Sequence, residues 1–456
     1  MPLIIPLSLL LGLAGLLLLA SPLPYLAPLI APAIIALGVL YRYPAWGILG
    51  ILAMVPVEGL FPAGSAITGA KLLGYALIGV VALQLLLRQL PEYRLRSNLW
   101  KFLLPFLLCY LLSMMFSRHV PLSFHDLRQL AVGLSLFGLT LLLYRELSLL
   151  WLARLLVLAV AFSGVIALDN IDATTGRSMG LLADPNYFAM LLTAVIPLAF
   201  WLALQSRGWL LRLFWLGMLG FLMFGVIKTG SRSGSVIVMV CIAGTLWHFR
   251  DYRKHLQPRH FGFVLLSLII GLPVLFAALP DEYVARVQSL VILKEGARNF
   301  EDPSLGRRSS YVVVGTDIIK NSPLFGSGPG TFPLEYAQRP YSVAYSLSAN
   351  DPNLFRVAHN TYLGMLSETG LPGGLLFIGL VVLGLKNYLA SRAIWLNRGN
   401  ERQAQLAAFF GLSYAAVALF LLFLSIPNSK LLWIMLAISS GMRLQAEEQP
   451  ALETRP

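Results

Sequence analysis

The stretch LADPNYFAMLLTAVIPLAFWLAL, residues 182–204, decides the fold. Beyond Asp184, Pro185 and Asn186 it is almost wholly apolar, and at about 20 residues per crossing it is long enough to span a bilayer. Arg207 and Arg212 follow it, and another apolar run opens at residue 209. Working outward, such runs recur at 3–20, 24–40, 45–62, 70–87, 99–116, 129–144, 149–167, 209–227, 233–249, 261–279, 371–390, 404–425 and 429–444. They predict an all-α polytopic membrane protein of about 12–14 transmembrane helices.

Composition points the same way. A chain of 456 residues that is 57% hydrophobic and 12% charged, with mean hydropathy +0.75, cannot hide its apolar side chains in one soluble core. The net charge of +13 would suggest a nucleic-acid partner in a soluble protein. Here the basic residues cluster in short gaps between apolar runs, as orientation signals do, so nucleic acid is excluded as a partner. With the N-terminus taken as cytoplasmic, the even-numbered gaps and their edges hold Arg42, Arg88, Arg94, Arg96, Lys101, Arg145, Arg207, Arg212, Arg250, Arg253, Lys254, Arg259, Lys386, Arg392, Arg398 and Arg402. This positive-inside pattern places both termini in the cytoplasm. Met1 to Ala20 lacks the basic start of a cleaved signal peptide and reads as a retained first helix. Cys109 and Cys241 both fall in apolar runs and read as packing residues.

The same register puts Ser117–Arg128, Asp169–Leu181, Lys228–Arg232 and a segment from about Pro280 to Gly370 outside. The last is far longer than a connector needs to be. From Asp281 to Ala358 it balances eight acidic against eight basic residues, unlike the basic cytoplasmic gaps. The expected organisation is therefore membrane helices over 1–279, one large external loop region over 280–370, membrane helices over 371–446 and a disordered tail over 447–456. Within the loop, the spacing of Tyr311, Val314, Ile318 and Ile319 predicts an amphipathic helix near the outer interface. A glycine turn over Pro323–Gly330 follows, and Tyr336–Pro352 reads as turn-rich and mobile.

Four polar clusters share the external side. They are Gly176-Arg177-Ser178-Met179-Gly180 with Asp184-Pro185-Asn186; Thr229-Gly230-Ser231-Arg232-Ser233-Gly234; Gly306-Arg307-Arg308; and His359-Asn360-Thr361-Tyr362. A guanidinium suits a phosphate or diphosphate because its planar fork donates two parallel charge-assisted hydrogen bonds. Arg232 also sits at a predicted helix N-terminus, where free N–H groups favour an anion. The competing reading is an arginine that snorkels to lipid headgroups. An imidazole with a pKa near about 6.5 is largely free base at neutral pH and can take a proton from a hydroxyl, which makes His359 a candidate general base. The alternative is a hydrogen-bonded structural histidine. His119 and His125 are weaker candidates, and His248, His255 and His260 read as solvated.

The sequence has no Asp-x-Asp, Walker or His-Glu-x-x-His motif, so neither a metal nor another cofactor is expected. Glu58, inside a predicted span, would be costly unpaired; Lys71 is a possible partner, and proton coupling is the sharper alternative to a structural ion pair.

These clusters, in this order, resemble the O-antigen ligase and polymerase family of bacterial membrane glycosyltransferases. The likeness rests on Thr229 to Gly234, on Arg308 ahead of Asp317–Gly330, and on His359-Asn360-Thr361-Tyr362 with Glu368-Thr369-Gly370-Leu371-Pro372-Gly373. The family has an aromatic residue four positions after its loop arginine. Tyr311 fits that place counted from Arg307, and Val312 stands there counted from Arg308, which leaves open which arginine matters. The resemblance implies a GT-C-like enzyme of the bacterial inner membrane with its site facing the periplasm. It implies transfer of a glycan from undecaprenyl diphosphate to a hydroxyl acceptor such as lipid A core in lipopolysaccharide biosynthesis, inverting and metal-independent. His359 would be the catalytic base, Arg232, Arg308, Arg307 and Arg177 the diphosphate ligands, and Ser231, Asn360 and Tyr362 supporting residues. A polysaccharide polymerase or a protein O-oligosaccharyltransferase would share the donor. A lipid-linked oligosaccharide transporter is the alternative of another class, although the charge here gathers at one surface and not at the bilayer midplane.

Overall fold

The computed structural model describes residues 16, 19–20, 30–60, 68–168, 170–171, 176–182, 184–250, 303–344 and 354–448. The elements that build it are helical. In chain order they are α1 (Ile30–Arg42), α2 (Ala45–Met54), α3 (Gly69–Leu86), α4 (Trp100–Met115), α5 (Val120–Leu143), α6 (Leu149–Ile166), α7 (Pro185–Gln205), α8 (Trp209–Lys228) and α9 (Arg232–His248). Then come α10 (Pro303–Asn321), α11 (Phe332–Ala337), α12 (Pro340–Ala344), α13 (Thr361–Glu368), α14 (Gly370–Asn397), α15 (Glu401–Phe420) and α16 (Lys430–Glu448).

Seven of these helices are long and apolar enough to cross a membrane, or eight if the bent pair α1–α2 counts as one. The protein is thus an all-α, multi-pass membrane protein. Helix α7 lies at its centre, with 83% of its apolar window buried, and packs against α6, α8, α9 and α15. A second group joins α14 to α4, α15 and α16, and α16 to α5. Flanking helix α8 has only 17% of its window buried and presents Leu210, Leu213 and Phe214 outward, as a helix facing lipid would.

Boundaries follow local chemistry. Helix α7 begins where the Asp184 carboxylate accepts from Asn186 N (2.6 Å) and Tyr187 N (3.1 Å), with Pro185 at the first turn. Ser148, Ser231, Asn360 and Asn400 cap α6, α9, α13 and α15 in the same way.

Several expectations need correction. Between the runs 24–40 and 45–62, Ile30–Arg42 and Ala45–Leu60 meet at 117° about Tyr43–Pro44, where proline breaks the helical ladder; residues 24–29 and 61–62 of those runs lie outside the described residues. The expected external gap Ser117–Arg128 is mostly the first turns of α5. The amphipathic helix extends from Pro303 to Asn321, and Tyr311, Val314 and Ile318 pack with Phe332, Tyr336 and Ala358 in a separate core belonging to the loop region. Part of the expected mobile stretch forms α11 and α12. Helix α16 reaches Glu448, two residues into the expected tail. The expected runs 3–20, except Leu16, Leu19 and Ala20, and 261–279 lie outside the described residues.

Two histidine and glutamate expectations also change. His248 is not solvated: it is 8% exposed, and its Nδ1 accepts from Arg392 Nε at 2.8 Å. Glu58 pairs with Lys430 at the start of α16. Lys71 uses its backbone N–H to close the Thr68 cap of α3.

Candidate active site

The N-termini of α7, α9 and α13 open at one end of the bundle, and the polar clusters meet there. Arg177 donates from Nε to Thr229 O (2.6 Å) and from a terminal nitrogen to Asn186 Oδ1 (2.9 Å). Ser231 Oγ donates to the same Asn186 Oδ1 at 3.1 Å. The first two clusters are therefore one assembly, hinged on Asn186. Gly230, at φ +59°, makes the turn from α8 into α9. Arg232 takes the first position of α9, beside the Ser231 cap.

The loop region supplies the rest. His359 is half-buried, its ring tilted against Tyr311 at 5.6 Å between centroids. Tyr311 packs edge-on to Tyr336, whose hydroxyl meets Ser310 Oγ at 2.9 Å. Burial holds the His359 imidazole below its ordinary value of 6.5; Asp184 pulls the other way, and Arg308, Arg356 and Arg307 reinforce the depression. That set of charges places His359 in the field of both the α7 cap and the α10 arginines. The Arg308 guanidinium also lies over the Phe423 ring at 6.0 Å, which draws α10 toward the end of α15. Tyr311 is the aromatic residue turned inward, while Val312 is 53% exposed.

Asn360 and Tyr362 are scaffold. The Asn360 side chain accepts from Leu363 N at 3.1 Å, and the Tyr362 hydroxyl donates to Ala418 O at 2.8 Å. Thr361, between them, is locked to the chain after α15: its N–H donates to Leu421 O (2.7 Å) and its hydroxyl accepts from Ile426 N (3.0 Å). These bonds fix the segment that carries His359.

Behind the site the glycine turn docks on α13. Ser327 N donates to Ser367 O and Gly328 N to Glu368 O, each at 3.0 Å, while Glu368 Oε1 accepts from Phe332 N at 2.9 Å. Burial, helped by the Asp126 carboxylate, pushes the Glu368 pKa up to about 8 against the backbone donors of Phe332 and Gly330. Asp126 itself accepts from the Tyr110 hydroxyl (2.7 Å) and Asn428 Nδ2 (3.1 Å).

Sequence reasoning passed over Arg356 as a site residue and missed Asp126 altogether. Arg356 has no glycine or hydroxyl neighbours to mark it, and Asp126 lay in what read as a loop. Among the described residues no group of three His, Cys, Asp or Glu side chains is placed to hold a metal ion.

Comparison with curated proteins gave no match. A family model described as O-antigen ligase matches residues 189–378, from within α7 to within α14. The match takes in Arg232, Arg307, Arg308 and His359; Arg177 and Asp184 lie just before it. This stretch, with the helical membrane architecture around it, is similar to the O-antigen ligase family.

Proposed function

We propose that the protein transfers a glycan from undecaprenyl diphosphate to a hydroxyl acceptor, at a site facing the periplasm from the bacterial inner membrane. The observation that carries this reading is the gathering of one imidazole and several guanidinium groups around three helix N-termini at one end of the bundle. His359 accepts the acceptor's hydroxyl proton. The freed oxygen attacks the anomeric carbon as the bond from that carbon to the diphosphate oxygen breaks, and undecaprenyl diphosphate leaves as an anion. A single displacement of this kind inverts the anomeric centre.

Arg232 and Arg308 hold the departing diphosphate, with Arg307 and Arg177 extending the positive field. Arg177 is already engaged with Thr229 and Asn186, so part of its role is to align the α9 N-terminus with the anion. The depressed pKa of His359 suits a base, because the imidazole is uncharged at neutral pH even among arginines.

The test is reconstitution of the purified protein with an undecaprenyl diphosphate glycan and, separately, lipid A core, free glycan and a protein acceptor. A covalent product is expected with one acceptor. Single addition marks a ligase and chain growth a polymerase. Movement of the donor between leaflets with no covalent product from any acceptor contradicts the proposal.

A further inference from the structure

A large cavity lies at the other end of the bundle. Its volume is about 880 Å³, and it opens between the C-terminal ends of α5, α7 and α16 and the N-terminal ends of α6, α8 and α15. Helix α7 carries Asp184 at one end and Gln205 at the other, so cavity and candidate site are separated by about 30 Å at 1.5 Å per residue.

Six arginines line it: Arg94, Arg96, Arg145, Arg154, Arg207 and Arg402. Two are committed, Arg94 to Glu146 and Arg145 to Glu448, each at 2.6 Å. Among the described residues Arg96, Arg154, Arg207 and Arg402 have no acidic partner. The Arg94 Nε–H and the indole N–H of Trp201, itself 4% exposed, lack hydrogen-bond acceptors there. Much of the remaining wall is hydrocarbon and aromatic, including Leu141, Leu150, Leu211, Trp201 and Trp215. A positive-inside bias accounts for basic residues at this end of the molecule. It does not account for a concave site lined by both guanidinium groups and an apolar wall.

We propose that this cavity binds an anionic glycerophospholipid of the adjoining leaflet, its phosphodiester held by Arg154, Arg207 and Arg402 and its acyl chains laid on the leucine and tryptophan wall. Guanidinium forks match phosphate oxygens, and basic pockets between membrane helices favour anionic headgroups. A soluble phosphate would satisfy the arginines and leave the apolar wall against water, so the amphiphile is the better match. The proposal does not depend on the transfer reaction.

The experiment is native mass spectrometry of the detergent-purified full chain with dioleoyl phosphatidylglycerol, dioleoyl phosphatidylcholine or glycerol 3-phosphate. Wild type is expected to retain phosphatidylglycerol in preference to phosphatidylcholine, with no displacement by glycerol 3-phosphate. The triple variant Arg154→Gln, Arg207→Gln, Arg402→Gln is expected to retain it at least ~10-fold less, each basic residue near a headgroup contributing about 1 kcal/mol. A control, Arg88→Gln with Lys101→Gln, changes exposed basic residues outside the cavity and should match wild type. Should the triple variant not fold, Arg207→Gln alone, at an exposed side chain, is expected to give a partial loss. Undiminished retention in the arginine variants, equal retention of phosphatidylcholine, displacement by glycerol 3-phosphate, or an equal loss in the control would each overturn the proposal.

Discussion

His359 has a left-handed backbone, φ +46°, which costs an L-residue about 1–2 kcal/mol. The neighbouring anchors oppose that cost: Asn360 caps α13, Thr361 is tied at both its N–H and its hydroxyl, and Tyr311 covers the ring. With the imidazole held below 6.5 by burial and by the arginines, kcat/KM should fall only as pH drops below that value and stay level from pH 7 to 8. A pH–rate profile with its acid limb centred above 6.5 would contradict the assigned role. Replacing Arg308 with Ala should weaken donor binding as well as turnover, since the same guanidinium meets the diphosphate in ground and transition states. A direct binding measurement with the lipid-linked donor separates the two effects.

Among the elements, the glycine turn and α13 form the joint on which the site rests. Gly326 stands at φ +67°, and a Cβ there would come within 2.4 Å of the Glu368 carbonyl carbon and oxygen. Gly326→Ala should therefore cost on the order of 2 kcal/mol or more, read as a lowered melting temperature in detergent. Glu368 adds a pH dependence. Its folded pKa, about 8, lies above the unfolded 4.5, so its contribution is fully present below 4.5 and is lost as pH rises through 8. Wild type should lose several degrees of melting temperature between pH 6 and 9, whereas Glu368→Gln, which keeps an acceptor for Phe332 N, should show a flatter profile. At the α7 entrance, Asp184→Ala removes a cap that accepts two N–H bonds and should cost about 1 kcal/mol or more.

Most element boundaries were legible in the sequence because two local signals coincide: an apolar run and a capping residue at its start. Asp184 with 185–205 and Ser231 with 232–248 illustrate this. The unread features depend on residues far apart in the chain. Glu58 meets Lys430 and His248 meets Arg392, and no periodicity encodes such pairs. The first turns of α5 were invisible for a related reason. Their polar residues face the glycine turn and Asn428, where a lipid-facing helix would carry apolar ones. The bent α1–α2 pair shows the limit of hydropathy, since two apolar runs give no sign of the angle between them.

Across the whole molecule, each long helix joins two chemically distinct ends. One gathers His359, Asp184, Arg307, Arg308 and the Asn186 assembly; the other holds the arginine-lined cavity. The bundle between them keeps the ends about 30 Å apart, so a change at one end should leave the other's ligand in place. Transfer by a His359→Ala protein in reconstituted membranes, measured beside its binding of an undecaprenyl diphosphate glycan, tests the central claim most directly. The expected result is a loss of transfer of at least ~100-fold with donor binding retained. Transfer at the wild-type rate would contradict it.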